Sequence, residues 1–225
     1  MTSASSLTAA RPEGPASSRS EERIDRRRLR SARTRQAIIE SYLALARETQ
    51  QIPTATRIAE RAGCSVRSIF ERFADLHALR VAATDFTFVQ AAAQVLAHEP
   101  KGDRASRIKV HVQSRAQVCE YWLPLWRALI RNQGDSQELK KRIEMVREAI
   151  LKRIDMVYQP ELADLPEHQR RQVLITIDSL IDFESWAHMR EGRGLTVEEA
   201  CAVWQYAINR LLPPTPFLDA AAGRA

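Results

Sequence analysis

Arginines and hydroxyl residues alternate with apolar residues between positions 54 and 73, and these side chains have the most to offer chemically. Arginine carries a permanent charge and five hydrogen-bond donors, and a hydroxyl group both donates and accepts. Phosphate oxygens and the polar edges of nucleic-acid bases are partners that such groups suit. The residues concerned are Thr54, Thr56, Arg57, Ser65, Arg67, Ser68 and Arg72.

The positive charge of the chain is concentrated in one segment. The net charge is +6, yet residues 23–80 hold thirteen basic and six acidic side chains, which leaves residues 81–225 close to neutral. Every basic residue before Lys101 is an arginine. Attraction to nucleic-acid phosphates requires such clustering, because counterion release grows with the number of cations that reach the backbone. A basic segment that only aids solubility, and a genome rich in arginine codons, are alternatives that charge alone leaves open.

The sequence lacks the common catalytic and metal-binding patterns. The three cysteines form no CxxC pair and the five histidines form no HxxxH pair, so these two-ligand spacings do not occur. Neither a glycine-rich phosphate loop nor a GxSxG nucleophile motif is present. We therefore expect a protein that is not an enzyme and that needs no metal or cofactor.

The composition predicts a cytoplasmic protein. Apolar residues make up 44 % of the chain and charged residues 28 %, which is ordinary for a soluble globular protein. No apolar run approaches the roughly 20 residues of a membrane span, and the first residues lack the apolar stretch of a signal peptide. We therefore expect no membrane partner.

The elements that must position the arginines and hydroxyl groups are two short helices joined by a tight turn. Thr54 is placed to cap the first helix, whose inward residues are Ile58 and Ala62. Gly63 stands where the chain must turn sharply, and Ser65 can cap a second helix at once. The second helix has an inner stripe of Val66, Ile69 and Phe73, and its outward residues are Arg67, Ser68, Phe70 and Arg72. This pattern is typical of a helix-turn-helix, whose second helix lies in the major groove of DNA.

The same segment resembles the signature of the TetR (AcrR-type) family of transcriptional regulators. The matching residues are Ile58-Ala59-Glu60-Arg61-Ala62-Gly63-Cys64-Ser65, then Ile69-Phe70-Glu71-Arg72-Phe73, and then Leu79. The family signature is a long first helix, an IAxxAGVS turn and a recognition helix that ends in an aromatic-x-x-Phe pattern, and the match covers residues 31–82. The resemblance implies a homodimer that binds a palindromic operator in double-stranded DNA.

Three positions depart from the family pattern. Phe70 replaces the usual tyrosine, so a hydroxyl contact with phosphate is lost and only packing remains. Arg72 replaces a histidine and can still meet a phosphate. Leu76 replaces the usual lysine, so His77 or the preceding arginines would have to supply that phosphate contact.

The roles of individual residues follow as hypotheses. We assign base-edge contacts to Arg67 and Ser68, because arginine paired with guanine is the commonest specific contact. Phosphate contacts are assigned to Thr54, Thr56, Arg57 and Arg72, with Ser65 and Phe70 at the same surface. A basic arm before the first helix is expected to enter a neighbouring minor groove, and it consists of Arg26, Arg27, Arg28 and Arg30. The alternative for each arginine is a solvated surface cation.

Helical spacing of apolar residues continues along almost the whole chain, and the two-residue alternation of strands is absent. We predict an all-α fold with an N-terminal three-helix helix-turn-helix DNA-binding domain and a C-terminal helical ligand-binding and dimerisation domain. The predicted divisions are a disordered tail at 1–22, the DNA-binding domain with its basic arm at 23–80, the effector-binding and dimerisation domain at 81–212, and a C-terminal tail at 213–225. The first helix is expected to begin near Ser31, Pro124 to break a helix, and capping boxes to begin at Asp135, Asp164 and Thr196.

Two late helices carry apolar stripes that suit a dimer interface. Together with their symmetry mates they would form a four-helix interface, although part of each stripe is expected to face the protomer's own core. The predicted dimerisation residues are Val173, Ile177, Ile181, Val203, Trp204, Ala207, Ile208 and Leu211.

A ligand pocket is predicted from aromatic residues of the C-terminal domain. The candidates are Phe86, Tyr121, Trp122, Trp126, Phe183 and Trp186. Polar groups that could orient a ligand are His111, Gln113, Asp182 and Glu184. Aromatic residues at helical spacing occur more often in a core than in a ligand site, so a filled core is the alternative.

Two functions are consistent with these patterns. The first is a homodimeric repressor that leaves its operator when a small apolar effector changes the spacing of its recognition helices. The second is a DNA-binding regulator or architectural protein that has no small ligand and is controlled by a protein partner. A closed apolar cavity of a few hundred cubic ångströms would favour the first function, and a filled core would favour the second.

Overall fold

The backbone is helical throughout its regular structure. A computed structural model describes residues 16–97 and 100–216, with the exposure of side chains described from Asp25 onward, and these ranges contain no strand. The prediction of an all-α fold is therefore confirmed. None of the helices in these ranges is both long enough and apolar enough to cross a lipid bilayer.

Ten α-helices follow one another in the described ranges. They are α1 (Ala16–Thr49), α2 (Ala55–Ala62), α3 (Val66–Phe70), α4 (Leu76–Leu96), α5 (Arg104–Asn132), α6 (Gln137–Val157), α7 (Gln159–Leu162), α8 (Glu167–Leu180), α9 (Phe183–Ala187) and α10 (Val197–Leu211). A π-helical turn, His188–Gly192, continues directly from α9.

The first helix begins earlier than the sequence pattern predicted. We expected a start near Ser31 after a disordered tail at 1–22, but α1 begins at Ala16, so residues 16–22 are helical. Residues 1–15 lie outside the described ranges. The stretch before Ser31 is rich in arginine, glutamate and serine and contains no glycine or proline within α1. Helix propensity therefore favours continuation even where no apolar stripe marks it.

The N-terminal helices share a small apolar core. Ile38 of α1, Ile58 of α2, Ile69 of α3 and Leu79 of α4 are fully buried. The predicted inner stripe of the second helix is wrong at one position, because Val66 at the start of α3 is exposed over 36 % of its surface. Val66 lies in the first turn of the five-residue helix α3, outside the core that Ile69 in the next turn joins.

The long helix α5 occupies the centre of the C-terminal region. It packs against α1, α4, α9 and α10, and α6 packs against α4 and α8. Pro124 lies inside α5, so the predicted break at this proline is wrong. Its neighbours Leu123 and Leu125 are buried, and their packing offsets the hydrogen bond that a proline removes, a loss of about 3 kcal/mol.

Three predicted helix starts have different outcomes. Thr196 forms the expected capping box with Glu199. Helix α6 is capped by Ser136 and not by Asp135, and α8 begins after Pro166 without a side-chain cap in place of Asp164. In each of these two segments the chain turns one or two residues later, where serine or proline suits the first position better.

Much of the predicted dimer stripe belongs to the protomer's own core. Ile177, Ile181, Trp204 and Ile208 are at most 1 % exposed, so the assignment of these four residues to a dimer interface is wrong. The rings of Trp204 and Trp186 lie 4.7 Å apart at the centre of this core. Two packed helices must bury one face against their own chain before another face can meet a partner.

The segment after α10 is held by side chains over its described part. Arg104 Nη2 donates to the carbonyls of Asn209 and Leu212 at 2.7 and 3.0 Å, and Arg104 also donates to the carbonyl of Pro213. Thr215 Oγ1 donates to Glu161 Oε1 at 2.6 Å. The predicted tail at 213–225 is therefore anchored at its beginning, and residues 217–225 lie outside the described ranges.

Candidate nucleic-acid interface and ligand cavity

Two hydroxyl residues and one glycine set the geometry of the helix-turn-helix. Thr54 Oγ1 accepts a hydrogen bond from the Arg57 amide at 3.4 Å, and Ser65 Oγ accepts one from the Ser68 amide at 3.1 Å. Gly63 ends α2 with φ of 62°, in the left-handed region that glycine adopts without a steric penalty. These residues place the start of α3 at the surface, two residues after the turn.

Arg67 projects from the beginning of α3 into solvent. Its side chain is 88 % exposed, and its Nε donates to Glu71 Oε1 at 3.0 Å one helical turn later. An ion pair between exposed groups contributes about 0–1 kcal/mol, so a stronger acceptor can replace it. Arg67 is therefore available for contact with a base edge or a phosphate.

The other predicted residues of this interface fall into two groups. Thr54, Thr56, Arg57 and Ser65 are exposed, and Phe70 is exposed over 46 % of its surface. Arg72 differs from the outward position predicted for it, because its side chain is only 20 % exposed and its Nη1 donates to the Ser68 carbonyl at 2.8 Å. Arg72 thus ties the end of α3 to its own backbone.

The predicted basic arm is part of a helix. Arg26, Arg27, Arg28 and Arg30 are exposed residues of α1. A helix with its side chains is about 10–12 Å wide, whereas the minor groove of B-DNA is about 6 Å wide. A helical segment is too wide to enter a minor groove, so the expectation of a groove-binding arm is wrong. These exposed arginines can still contact phosphates.

Helix α2 is joined to α1 by an ion pair outside the predicted set. Arg61 Nη1 donates to Glu48 Oε2 at 2.8 Å, and its Nη2 lies 2.7 Å from Glu48 Oε1. The hydrogen bond with Arg61 lowers the pKa of Glu48. This bidentate contact adds to the packing of α2 against α1.

A cavity of about 460 Å³ lies between the N-terminal helices and the C-terminal helices. Helix α1 contributes Tyr42, Leu43 and Ala46, and most other lining residues belong to α4, α5 and α6. The cavity is neither fully enclosed nor a surface groove, and the exposed residues Leu96, Met145 and Met156 line it as well. Its volume is typical of small-molecule sites, which span about 300–1,000 Å³.

The predicted ligand residues divide equally between the cavity wall and other places. Trp122, Trp126 and Phe183 line the cavity. Phe86 does not line it, Trp186 is buried elsewhere in the core, and Tyr121 is an exposed residue whose ring lies 4.1 Å from the Arg47 guanidinium. The assignment of Phe86, Tyr121 and Trp186 to this cavity is therefore wrong, because helical spacing does not show which side of a helix faces the void.

The charged residues of the wall, Arg80, Arg115 and Arg153, are all basic. His111 lines the cavity, whereas Gln113 does not, Asp182 caps α9, and Glu184 pairs with Arg127. His111 Nδ1 lies 2.8 Å from the Tyr158 hydroxyl. Burial, together with the charges of Arg153 and Arg115, lowers the pKa of His111 from 6.5 to about 3. The ring is therefore neutral at physiological pH.

Arg115 and Arg153 were missed as cavity residues in the sequence. A signal for Arg115 does exist, because this cation interrupts an apolar stripe of α5. The stripe consists of Ile108, Val112, Cys119 and Trp122, all of them buried. A charged residue at a buried position of such a stripe is rare unless it has a partner.

Exposed apolar residues also occur on α8 and α10. Val203 is 45 % exposed and Leu211 is 37 % exposed, while Val173 and Ala207 are partly buried. Ile175 and Tyr206 are exposed residues of the same two helices that the sequence prediction did not include.

Within the described ranges, no group of three His, Cys, Asp or Glu side chains is arranged to hold a metal ion.

Comparison of the sequence with known proteins finds no matching family model and no similar curated protein. The fold is similar to that of several solved structures. A structure described as a TetR-family transcriptional regulator from Rhodococcus sp. matches with a TM-score of 0.60 at 17 % identity, over 80 % of this chain and 99 % of that one.

A transcriptional regulator from Rhodococcus sp. Rha1 matches with a TM-score of 0.65 at 14 % identity, over 81 % of this chain and 99 % of its own. The multidrug binding protein EbrR, complexed with imidazole, matches with a TM-score of 0.53 at 16 % identity, over 82 % of this chain and 98 % of its own. The architecture and the helix-turn-helix agree with these matches. The chain therefore has the fold of the TetR-family transcriptional regulators.

Proposed function

We propose that this protein is a homodimeric transcriptional repressor that binds a palindromic operator and is released by a small-molecule effector. The observation that carries the proposal is the exposed α3 surface, where a capped short helix presents Arg67 to the exterior. Helices of this kind enter the major groove of DNA with their N-terminal residues on the base edges. The protein acts in this account as a binding protein and not as an enzyme.

Base recognition is assigned to Arg67 and Ser68. Arg67 can exchange its exposed partner Glu71 for the O6 and N7 atoms of guanine, which accept two hydrogen bonds from a guanidinium group. Ser68 lies one residue further along α3 and is partly exposed. Phosphate contacts are assigned to exposed residues around this helix and on α1, namely Thr54, Thr56, Arg57, Ser65, Arg26, Arg27, Arg28 and Arg30.

Dimerisation is assigned to the exposed apolar residues of α8 and α10. Val203, Tyr206 and Leu211 lie on α10, and Ile175 lies on α8, which packs against α10. Apolar side chains on two adjacent helices suit a symmetric interface in which the same surface of each protomer meets the other. Two-fold symmetry of this kind would match a palindromic operator.

Release from DNA is assigned to ligand binding in the cavity, because α1 and α4 of the N-terminal region form part of its wall. Tyr42, Leu43 and Ala46 belong to α1, which packs against α2, and Arg80 and Thr84 belong to α4 near its start. A ligand that contacts these helices in one arrangement better than in another shifts the equilibrium between DNA-binding and released forms. A cavity of this size, although partly open, supports this function over a regulator that has a filled core and no small ligand.

The test is selection of bound sequences from a pool of random DNA duplexes at low and at moderate salt. The proposal expects one inverted repeat to be enriched, with half-sites whose centres are separated by whole helical turns of about 10–10.5 base pairs. Binding that enriches no sequence and disappears with salt would contradict it, because contacts with phosphate alone behave in that way.

A further inference from the structure

Arg115 is a buried cation in the wall of the cavity with unused hydrogen-bond donors. The residue is 8 % exposed. Its Nε donates to the Ile181 carbonyl at 2.9 Å, and its guanidinium carbon lies 4.6 Å from the centre of the Phe183 ring. In the described part of the chain, the two Nη atoms have no hydrogen-bond acceptor. These two atoms are not completely shielded from solvent.

The charge of Arg115 has no carboxylate partner within ion-pair distance among the described residues. Asp178 acts on it only through the longer-range field. Buried charges are usually paired, because an ion without a partner or hydrogen bonds in an apolar environment is unfavourable. The donors of Arg115 therefore point to an anion that comes from outside the chain.

The whole cavity has the same electrostatic character. Arg80, Arg115 and Arg153 line it, and the residues described as lining it include no aspartate or glutamate. Arg80 is already engaged, since its Nη1 donates to the Asn132 carbonyl and its Nη2 lies 3.0 Å from His77 Nδ1. Arg153 likewise has a partner, whereas Arg115 keeps two donor groups that no described acceptor uses.

Apolar side chains cover most of the remaining wall. The Phe183 ring contacts the Arg115 guanidinium and is stacked 5.0 Å from the Trp126 ring at an angle of 18°. The wall continues with Val118, Leu125, Leu129, Val146, Ile150 and Met156. The wall therefore combines basic side chains with a largely apolar surface.

We propose that the effector is an amphipathic organic anion, in which a carboxylate binds the Nη atoms of Arg115 and an apolar body fills the cavity. A carboxylate matches the fork of a guanidinium group with two parallel hydrogen bonds. The regulatory role of this ligand rests on the proposed function, whereas its chemistry follows from the residues that line the cavity.

The experiment measures binding of three ligands with the same apolar chain to the full-length protein without DNA. The ligands are decanoate, decanol and decyltrimethylammonium, which carry a negative, a neutral and a positive head. Trp122 and Trp126 line the cavity, so quenching of tryptophan fluorescence reports occupancy. A second pair, naphthoate and naphthylmethanol, distinguishes a straight apolar chain from an aromatic body.

The proposal expects at least one carboxylate to bind about tenfold or more tightly than its own alcohol, as a charge-assisted hydrogen bond predicts. The cation should bind most weakly. Equal affinity for carboxylate and alcohol, preference for the cation, or absence of carboxylate binding would each overturn the proposal.

Variants of Arg115 assign the preference to this residue. In Arg115→Met the carboxylate should lose its advantage while the alcohol still binds, and in Arg115→Lys part of the advantage should remain. If Arg115→Met fails to fold because the Ile181 carbonyl loses its donor, the ligand series on the unaltered protein still decides the outcome. Retention of the full advantage in a folded Arg115→Met would overturn the role of this residue.

The same samples separate this inference from the proposed function. Fluorescence anisotropy on a selected duplex measures DNA binding independently of the tryptophan signal. A protein that prefers carboxylates but selects no DNA sequence would contradict the proposed function alone. A protein that selects an inverted repeat but does not prefer carboxylates would contradict this inference alone.

Discussion

Arg67 combines a side chain that is 88 % exposed with a donor group suited to guanine. Its ion pair with Glu71 holds the side chain along α3 without burying it, since both groups are more than half exposed. An arginine kept in this way needs little reorganisation before it reaches a base edge. The residue therefore carries the proposed sequence preference, and exposed phosphate-binding residues carry general affinity.

Replacement Arg67→Ala is expected to weaken binding to a selected duplex by about 1–3 kcal/mol and to relax the preference at one base pair of each half-site. Anisotropy titrations on the duplex and on its single-base variants measure both effects. The matched control is Arg193→Ala, which removes the same charge from an exposed residue after the π-helical turn. Equal losses in both variants would mean that Arg67 acts only as a positive charge.

His111 gives the protein a predictable response to acid. Its pKa is lowered to about 3 in the folded state from 6.5, mainly by burial, with Arg153 and Arg115 adding to the effect and Tyr158 as its neighbour. Between these two values the unfolded chain binds the proton and the folded chain does not. Stability contributed by the neutral ring is complete above pH 6.5 and is lost as the pH falls toward 3.

The expected slope reaches about 1.4 kcal/mol per pH unit within that window. Urea unfolding of the intact protein at several pH values from neutral to acidic measures it. In His111→Gln the side chain cannot take up a proton, so stability should fall less steeply with acid. A variant with the same slope as the unaltered protein would show that His111 does not account for the acid response.

The turn between α2 and α3 requires a positive φ at Gly63. Its φ is 62°, and apart from Gly63 itself and its two chain neighbours no heavy atom of the described residues lies within 4 Å of the position that a Cβ atom would occupy. A substitution there is therefore opposed by backbone strain and not by crowding. Residues other than glycine lose about 1–2 kcal/mol in this conformation, and asparagine loses the least.

We expect Gly63→Val to lower both the thermal stability and the DNA affinity, because the turn sets the direction of α3. Gly63→Asn should lower both by a smaller amount. Thermal unfolding and anisotropy titrations compare the two variants, which share the open surroundings but differ in their tolerance of positive φ. Equal effects of asparagine and valine would contradict the strain argument.

Local signals made the helix-turn-helix predictable from the sequence. The caps at Thr54 and Ser65 and the turn at Gly63 depend on neighbouring residues alone, so their positions can be identified without knowledge of the rest of the chain. The capping box at Thr196 was predictable for the same reason. These features fix the beginning of a helix whatever packs against it.

Features that depend on tertiary packing were not predictable in this way. Pro124 remains helical because buried neighbours on both sides hold α5 in place, and such packing is invisible in local sequence. Trp186 and Trp122 are both aromatic residues of apolar stripes, yet one fills the core and the other lines the cavity. Only the relative rotation of packed helices decides between these outcomes.

At the scale of the whole molecule, the proposed dimer depends on exposed apolar residues of α10. We expect Val203→Asp combined with Leu211→Asp to convert the dimer into a monomer, because four charges would face one another across the two-fold axis. Sedimentation velocity measures the assembly. The control is Val89→Asp on α4, which is 66 % exposed but lies outside this surface. A dimer that persists in the double variant would place the interface elsewhere.

The same scale connects the cavity with the DNA-binding helices. α1 and α4 both contribute to the cavity wall, α1 packs against α2, and α4 packs against α1. A ligand in the cavity therefore contacts helices that are joined to the helix-turn-helix. Thermodynamic linkage then requires reciprocity: an effector that weakens DNA binding by a given factor must itself bind more weakly to the DNA complex by that factor.

The most direct measurement is an anisotropy titration of a selected inverted repeat against the same duplex with one half-site scrambled, with the stoichiometry determined in parallel. The account predicts two protomers on each intact duplex and a preference of about 10³-fold or more over unrelated DNA, with much of it lost when one half-site is scrambled. Equal affinity for the intact and the scrambled duplex would contradict the central claim that this protein reads DNA sequence as a dimer.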